Sequence, residues 1–128
     1  GVTAKDLALH IIRVLGVQGG VGYAYEFGGE TIRAMSMEER MTLCNLAVEG
    51  GARSGYINPD QTTYEYLKNT KNAPKNFEEA VAYWKSIKSD RNAEYDNVVE
   101  ISVDTLEPMV TWGVNPEQGV TIVEMFQN

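Results

Sequence analysis

The sequence predicts an α/β domain, with helices packed on a small sheet. Three observations carry that prediction. Segments with helical periodicity alternate with short aromatic and β-branched runs. Glycine clusters punctuate the joins. The longer helical segments open on residues suited to cap them.

The first helix starts at Thr3 and Asp6, and Leu7, Ile11, Ile12, Val14 and Leu15 give it an apolar face as far as Gly16. Gly16 to Gly22 is a glycine-rich turn. Val21 to Phe27 reads as a strand, closed by Gly28 and Gly29. Glu30 to Met35 is a short helix. Ser36 to Gly51 reads as one helix: Ser36 and Glu39 form a capping box, and Gly50 and Gly51 supply a left-handed exit. Ala52 to Asn58 is a second strand, and Pro59 leads into a helix from Asp60 to Lys68. Asn76 with Glu79 opens a helix to about Lys88, with Phe77, Ala80, Val81, Trp84 and Ile87 on its apolar face. Ser89 to Asp96 is a polar loop and Asn97 to Val103 a strand. Thr105 to Asn115 is less regular, and Val120 to Phe126 is a last strand or a tail.

The 128 residues suffice for one α/β domain with a real core, spanning 1–128, in which 104–128 is either a linker or the start of a following domain. A net charge of −7 disfavours nucleic acid and anionic membrane as partners, since both need a basic footprint. The longest apolar run is far short of a membrane span. One cysteine allows neither an internal disulfide nor a cysteine-built metal site, and a cytoplasmic setting is the simplest reading.

The glycine-rich turn GVQGGVGYAYEFGG fails as a dinucleotide fingerprint. It follows a helix and precedes a strand, and Tyr25 stands where the last glycine is needed. His10, the sole histidine, lies four residues after Asp6, within pairing reach on the first helix, and reads as an ordinary surface or edge histidine rather than a catalytic base or metal ligand. Met35, Met37 and Met41 read as core filler.

The segment Ser36 to Gly51 holds the best candidate site. Met37, Met41, Leu43, Cys44, Leu46, Ala47 and Val48 make it apolar nearly all round, which suits a helix inside a larger body. Against them runs a polar stripe of Glu38, Thr42, Asn45 and Glu49. Buried polar groups need partners, so the stripe either pairs within the fold or lines a site. Asn45 and Glu49, four apart, share a helix face.

RMTLCNLAVEGGARSGYINPDQTTYEYL (Arg40 to Leu67) resembles the isopropylmalate-isomerising branch of the aconitase family of iron–sulfur hydro-lyases. The likeness extends to TAKDLALHIIRVLG, GGVGYAYEFGGETIRAMSMEER and VTWGVNPEQGV, and so to almost the whole chain. It departs at Val114, where the family usually has threonine. The resemblance implies a three-layer-like α/β domain of the aconitase iron–sulfur type. It implies a [4Fe–4S] cluster held by three cysteines in motifs that this sequence lacks, with Cys44 not a ligand. It implies an internal domain of a larger subunit, to which an initial Gly1 conforms, partnered by a small subunit. It implies interconversion of 2- and 3-isopropylmalate in leucine biosynthesis, by dehydration and rehydration. In the matching C-N-x-x-x-E pattern, Asn45 lies against the cluster and Glu49 hydrogen-bonds the substrate hydroxyl or water. Glu26, Arg40, Arg53 and Asp60 take supporting roles, with a Glu26–Arg53 pair bracing the helix end. Two alternatives stand beside this reading: a sister hydro-lyase, such as homoaconitase or a citraconate-type isomerase, and a stand-alone interaction domain.

Overall fold

The structure is a computed structural model that describes residues 2–104, 106, 108–111 and 119–121. The chain divides into two compact units, Gly1–Ile57 with Glu100–Asn128, and Asn58–Val99.

In the first unit, α1 (Ala4–Leu15) begins on the expected cap. The Thr3 hydroxyl accepts from Asp6 N at 3.3 Å, and Asp6 Oδ2 accepts from Thr3 N at 2.7 Å. Strand β1 (Ala24–Glu26) follows the glycine turn, then α2 (Glu30–Arg33) and α3 (Met37–Leu46). Strand β2 (Ser54–Tyr56) lies parallel to β1, with Ala24 opposite Ser54 and Glu26 opposite Tyr56. Parallel neighbours need a crossover, and α2 and α3 supply it. The α/β class thus holds. Both strands are shorter than expected. Among the described residues each has a single neighbour, and Gly22 (φ 84°) and Gly29 (φ 103°) turn the chain away on either side of β1.

The helix expected from Ser36 to Gly51 keeps its capping box, Ser36 with Glu39. It leaves α geometry at Leu46, and Ala47–Gly50 tightens into a 3₁₀ turn before Gly51 exits left-handed at φ 85°. Nor is α3 buried all round. Arg40 and Leu43 are its fully buried residues, whereas Met41, and Val48 in the turn, are exposed. One side packs on α1 and β2. That packing is close: a Cβ on Gly55 would lie 2.7 Å from Ala47 Cβ, so only glycine lets helix and strand approach this far. The core gathers Leu7, Ala8, Ile32, Met35 and Leu43, with Phe27 and Leu46 against it. Met35 is therefore core filler as expected, while Met41 is not.

Asn97 to Val103, expected as a strand, forms none. It has the β-branched composition, but among the described residues no strand pairs with it to complete a ladder, and Val98 and Val99 are exposed. Strands β3 (Met109–Thr111) and β4 (Gly119–Thr121) pair antiparallel instead. Val114, and most of the expectations for 104–128, lie outside the described residues.

The second unit holds α4 (Gln61–Lys68) and α5 (Phe77–Ser86). Asp60 caps α4 by accepting from Thr63 N at 3.3 Å, and Asn76 does the same for Glu79 N at α5. Trp84 packs edge-on to Phe77 (5.7 Å between ring centres) and stacks with Tyr64 (6.3 Å). Ile87, placed on the apolar face of α5 by periodicity, is exposed just beyond its end.

Candidate functional site

The end of α3 and the 3₁₀ turn after it carry the sequence-predicted pair. Asn45 sits on the last α-helical turn and Glu49 on the 3₁₀ turn. The change of helix type alters their relation. Four α-helical steps leave two residues about 40° apart, whereas two of those steps taken at 3₁₀ pitch open the angle to about 80°. They remain neighbours at one helix end, but they share a face less squarely than strict i,i+4 spacing predicts.

Both residues are exposed, as are Glu38 and Thr42. Thr42 turns back to its own helix, its hydroxyl donating to the Glu38 carbonyl at 3.0 Å. Among the described residues, no side chain hydrogen-bonds or pairs with Asn45 or Glu49. The stripe therefore does not pair inside the fold. Its polar atoms at 45 and 49 are open to a ligand or to water.

What lies beneath them is closely packed and apolar. Ala47 is buried against Gly55. Gly20 N donates to the Gly50 carbonyl at 2.9 Å and Arg53 N to the Tyr23 carbonyl at 2.8 Å, which sets one side of the turn against the start of β1 and β2. The site thus stands at the amino ends of the two parallel strands. Larger open α/β sheets usually bind ligands at the carboxyl ends. At that opposite edge, Tyr56 Oη donates to Glu26 Oε2 at 2.9 Å. Glu26 thus serves to tie β1 to β2, and Arg53 joins the ladder through its backbone.

Arg40 is the buried cation of this region, 3% exposed. Its Nε donates to the Met35 carbonyl at 3.2 Å and its Nη2 to the Arg33 carbonyl at 3.0 Å. Those carbonyls end α2 and have no helical partner of their own, so Arg40 joins α2 to α3. Cys44 is half-buried, and burial pushes its thiol above the usual range, which disfavours the thiolate a metal would need. Among the described residues, no group of three or more His, Cys, Asp or Glu is placed to hold a metal ion.

Two residues had a fate the sequence did not announce. Asp6 does not turn to His10. Its Oδ2 accepts from the Thr3 backbone and hydroxyl, and its Oδ1 accepts from Met109 N at 2.9 Å, 103 residues away. Burial opposes its charge, but the Met109 and Thr3 donors outweigh that and hold the carboxyl below its ordinary value. Tyr25 carries a buried hydroxyl with no partner, and burial raises it above the usual tyrosine value. Only the Thr3–Asp6 cap gave a sequence signal for either.

Residues 1–128 match the family described as Aconitase family (aconitate hydratase). The chain belongs to the aconitase family. It is 63% identical over 126 residues to a protein of Microcystis aeruginosa (strain NIES-843 / IAM M-2473) named 3-isopropylmalate dehydratase large subunit, covering 98% of this chain and 27% of that one. Relatives of the same name in Rippkaea orientalis (strain PCC 8801 / RF-1) and Synechococcus sp. (strain JA-2-3B'a(2-13)) are 60% and 61% identical, over 98% and 97% of this chain. The chain spans about 27% of the length of these curated relatives. Among the described residues, no helix is long and apolar enough to cross a membrane.

Proposed function

We propose that this aconitase-family chain is a domain of the large subunit of a 3-isopropylmalate dehydratase, a hydro-lyase that interconverts 2- and 3-isopropylmalate in leucine biosynthesis. The observation that carries this reading is the 63% identity over 98% of the chain to a large subunit of that name. The exposed, unpartnered pair at the end of α3 supports it.

In this reading Glu49 and Asn45 form one wall of the substrate cleft. A glutamate carboxylate accepts hydrogen bonds, so Glu49 is suited to orient the substrate hydroxyl, or water, by accepting its O–H hydrogen bond. Asn45 both donates and accepts, which suits it to orient a carboxylate or hydroxyl beside Glu49. The residues of this chain do not fit a [4Fe–4S] cluster: there is one cysteine, and among the described residues no group of donors is gathered to hold a metal. The ligands of the cluster implied by the family are then outside these 128 residues, as is the small subunit that completes the enzyme. A lone free thiol at Cys44 suits a cytoplasmic setting.

The test is turnover of 3-isopropylmalate by the full-length enzyme and by its Glu49→Gln variant. The variant is expected to lose on the order of 10–10²-fold in kcat, the usual worth of a hydrogen bond to a charged group. Unchanged turnover would remove Glu49 from the chemistry. The 128-residue chain alone is expected to show none. Parallel assays with homoaconitate and citraconate-type substrates separate the sister hydro-lyases.

A further inference from the structure

One polar atom stands apart in the unit that carries Asn45 and Glu49. Among the described residues, Tyr25 Oη is the buried side-chain oxygen that has no hydrogen-bond partner. Burying a hydroxyl without a partner is costly, and phenylalanine would fill the same space without that cost. The cavity beside the ring, about 10 Å³, is lined by apolar groups of Ala8, Ile12, Leu43 and Ala47, so it offers the hydroxyl no acceptor.

Two glycines make the room around this hydroxyl. A Cβ on Gly20 would lie 2.7 Å from Tyr25 Oη, and one on Gly50 would lie 4.0 Å from it. Gly50 closes the 3₁₀ turn that carries Glu49. The bonds that close that turn are uneven: Gly51 N reaches the Val48 carbonyl at 2.9 Å, but Ala52 N reaches the Ala47 carbonyl only at 3.4 Å. The hydrogen-bond geometry of a 3₁₀ turn is also poorer than that of an α-helix. A carbonyl has two lone pairs, and Gly50 O, which accepts from Gly20 N at 2.9 Å, keeps capacity for a second donor.

We propose that Tyr25 is a positioning residue for Glu49: as Glu49 engages its ligand, the Ala47–Gly50 turn settles onto the ring and the Tyr25 hydroxyl donates to a carbonyl of that turn. This rests on the reading that Glu49 contacts substrate. The hydroxyl then costs stability in the free protein and contributes hydrogen bonding in the engaged one.

The experiment compares Tyr25→Phe and Glu49→Gln in the full-length enzyme assembled with its small subunit and cluster. It reads melting temperature and steady-state kinetics with 3-isopropylmalate. Tyr25→Phe is expected to melt at the same or a higher temperature while kcat falls about tenfold, the worth of one net hydrogen bond, with KM little changed. Unchanged kcat would overturn the proposal. So would a joint fall of melting temperature and kcat, which marks a merely structural tyrosine. If Glu49→Gln keeps full turnover, the site reading fails and this inference with it. If Glu49→Gln loses turnover while Tyr25→Phe keeps it, the positioning role alone is lost.

Discussion

Asp6 and Glu49 are acidic side chains at helix ends in one compact unit, and they are treated in opposite ways. Asp6, at the start of α1, is buried, and its two oxygens accept from Thr3 and from the distant Met109. Glu49, just past the end of α3, is exposed, and nothing among the described residues bonds to it. A carboxylate that holds a fold together is taken out of water and saturated with donors. One left open at a helix end is free to meet a ligand or water. The contrast separates polarity spent on holding the fold from polarity left open on its surface, in a chain where both look alike as letters.

The sharpest way to break the comparison is Asp6→Ala. It removes a helix cap worth about 1 kcal/mol and strands the buried Met109 N–H at about 1–3 kcal/mol, so a loss of about 3 kcal/mol is expected. Urea unfolding measures it, and a loss under about 1 kcal/mol would show the tether to be incidental. Gly55→Ala tests the closely packed floor under Glu49. The new Cβ would meet Ala47 Cβ at 2.7 Å and the Phe27 ring at 3.0 Å, and overpacking of this kind costs about 1–3 kcal/mol.

Acid produces a smaller, graded effect. The folded state holds the Asp6 carboxyl below its ordinary value, so the unfolded chain takes up the proton first as pH falls. Its contribution is complete above the unfolded carboxylate value, about pH 3.9, and is lost as pH drops through the lower folded one. Asp6→Asn should flatten the stability–pH curve in that window; an unaltered slope would show that other carboxylates set it. The smallest effect is expected at the exposed pair. Asn45→Ala and Glu49→Gln should each change stability by less than about 0.5 kcal/mol. A larger loss would reveal a structural partner and erase the contrast with Asp6.

Local signals were legible in the sequence. The caps Thr3–Asp6, Ser36–Glu39 and Asn76–Glu79 all close as their letters suggest, because each needs only neighbours three residues apart. The helix-to-strand order around the glycine turn holds for the same reason. What failed depended on distance. Spacing alone offers Asp6 a partner in His10, four residues away, and no pattern marks a backbone N–H at position 109 as the one it takes. Asn97 to Val103 had the composition of a strand and lacked a neighbour to pair with. The candidate pair at Asn45 and Glu49 came from the resemblance and the helix period. Its exposure was not foreseen, because an almost uniformly apolar segment looks buried until one sees which side α1 and β2 cover. Tyr25 gave no signal at all, as the orphaned hydroxyl depends on where two glycines fold.

The bond from Met109 to Asp6 also orders events in time. A ribosome makes the amino end first, so α1 leaves it with part of its carboxylate still waiting for a residue about a hundred positions behind. Closing a flexible loop of that length costs about 4 kcal/mol of chain entropy, far more than one hydrogen bond returns. The bond is therefore expected to form late, once packing of β3 on α1 has brought the two positions together. Interactions made after the folding barrier act mainly on the rate of unfolding. Asp6 then works as a latch that slows escape from the native state and leaves the speed of reaching it almost untouched.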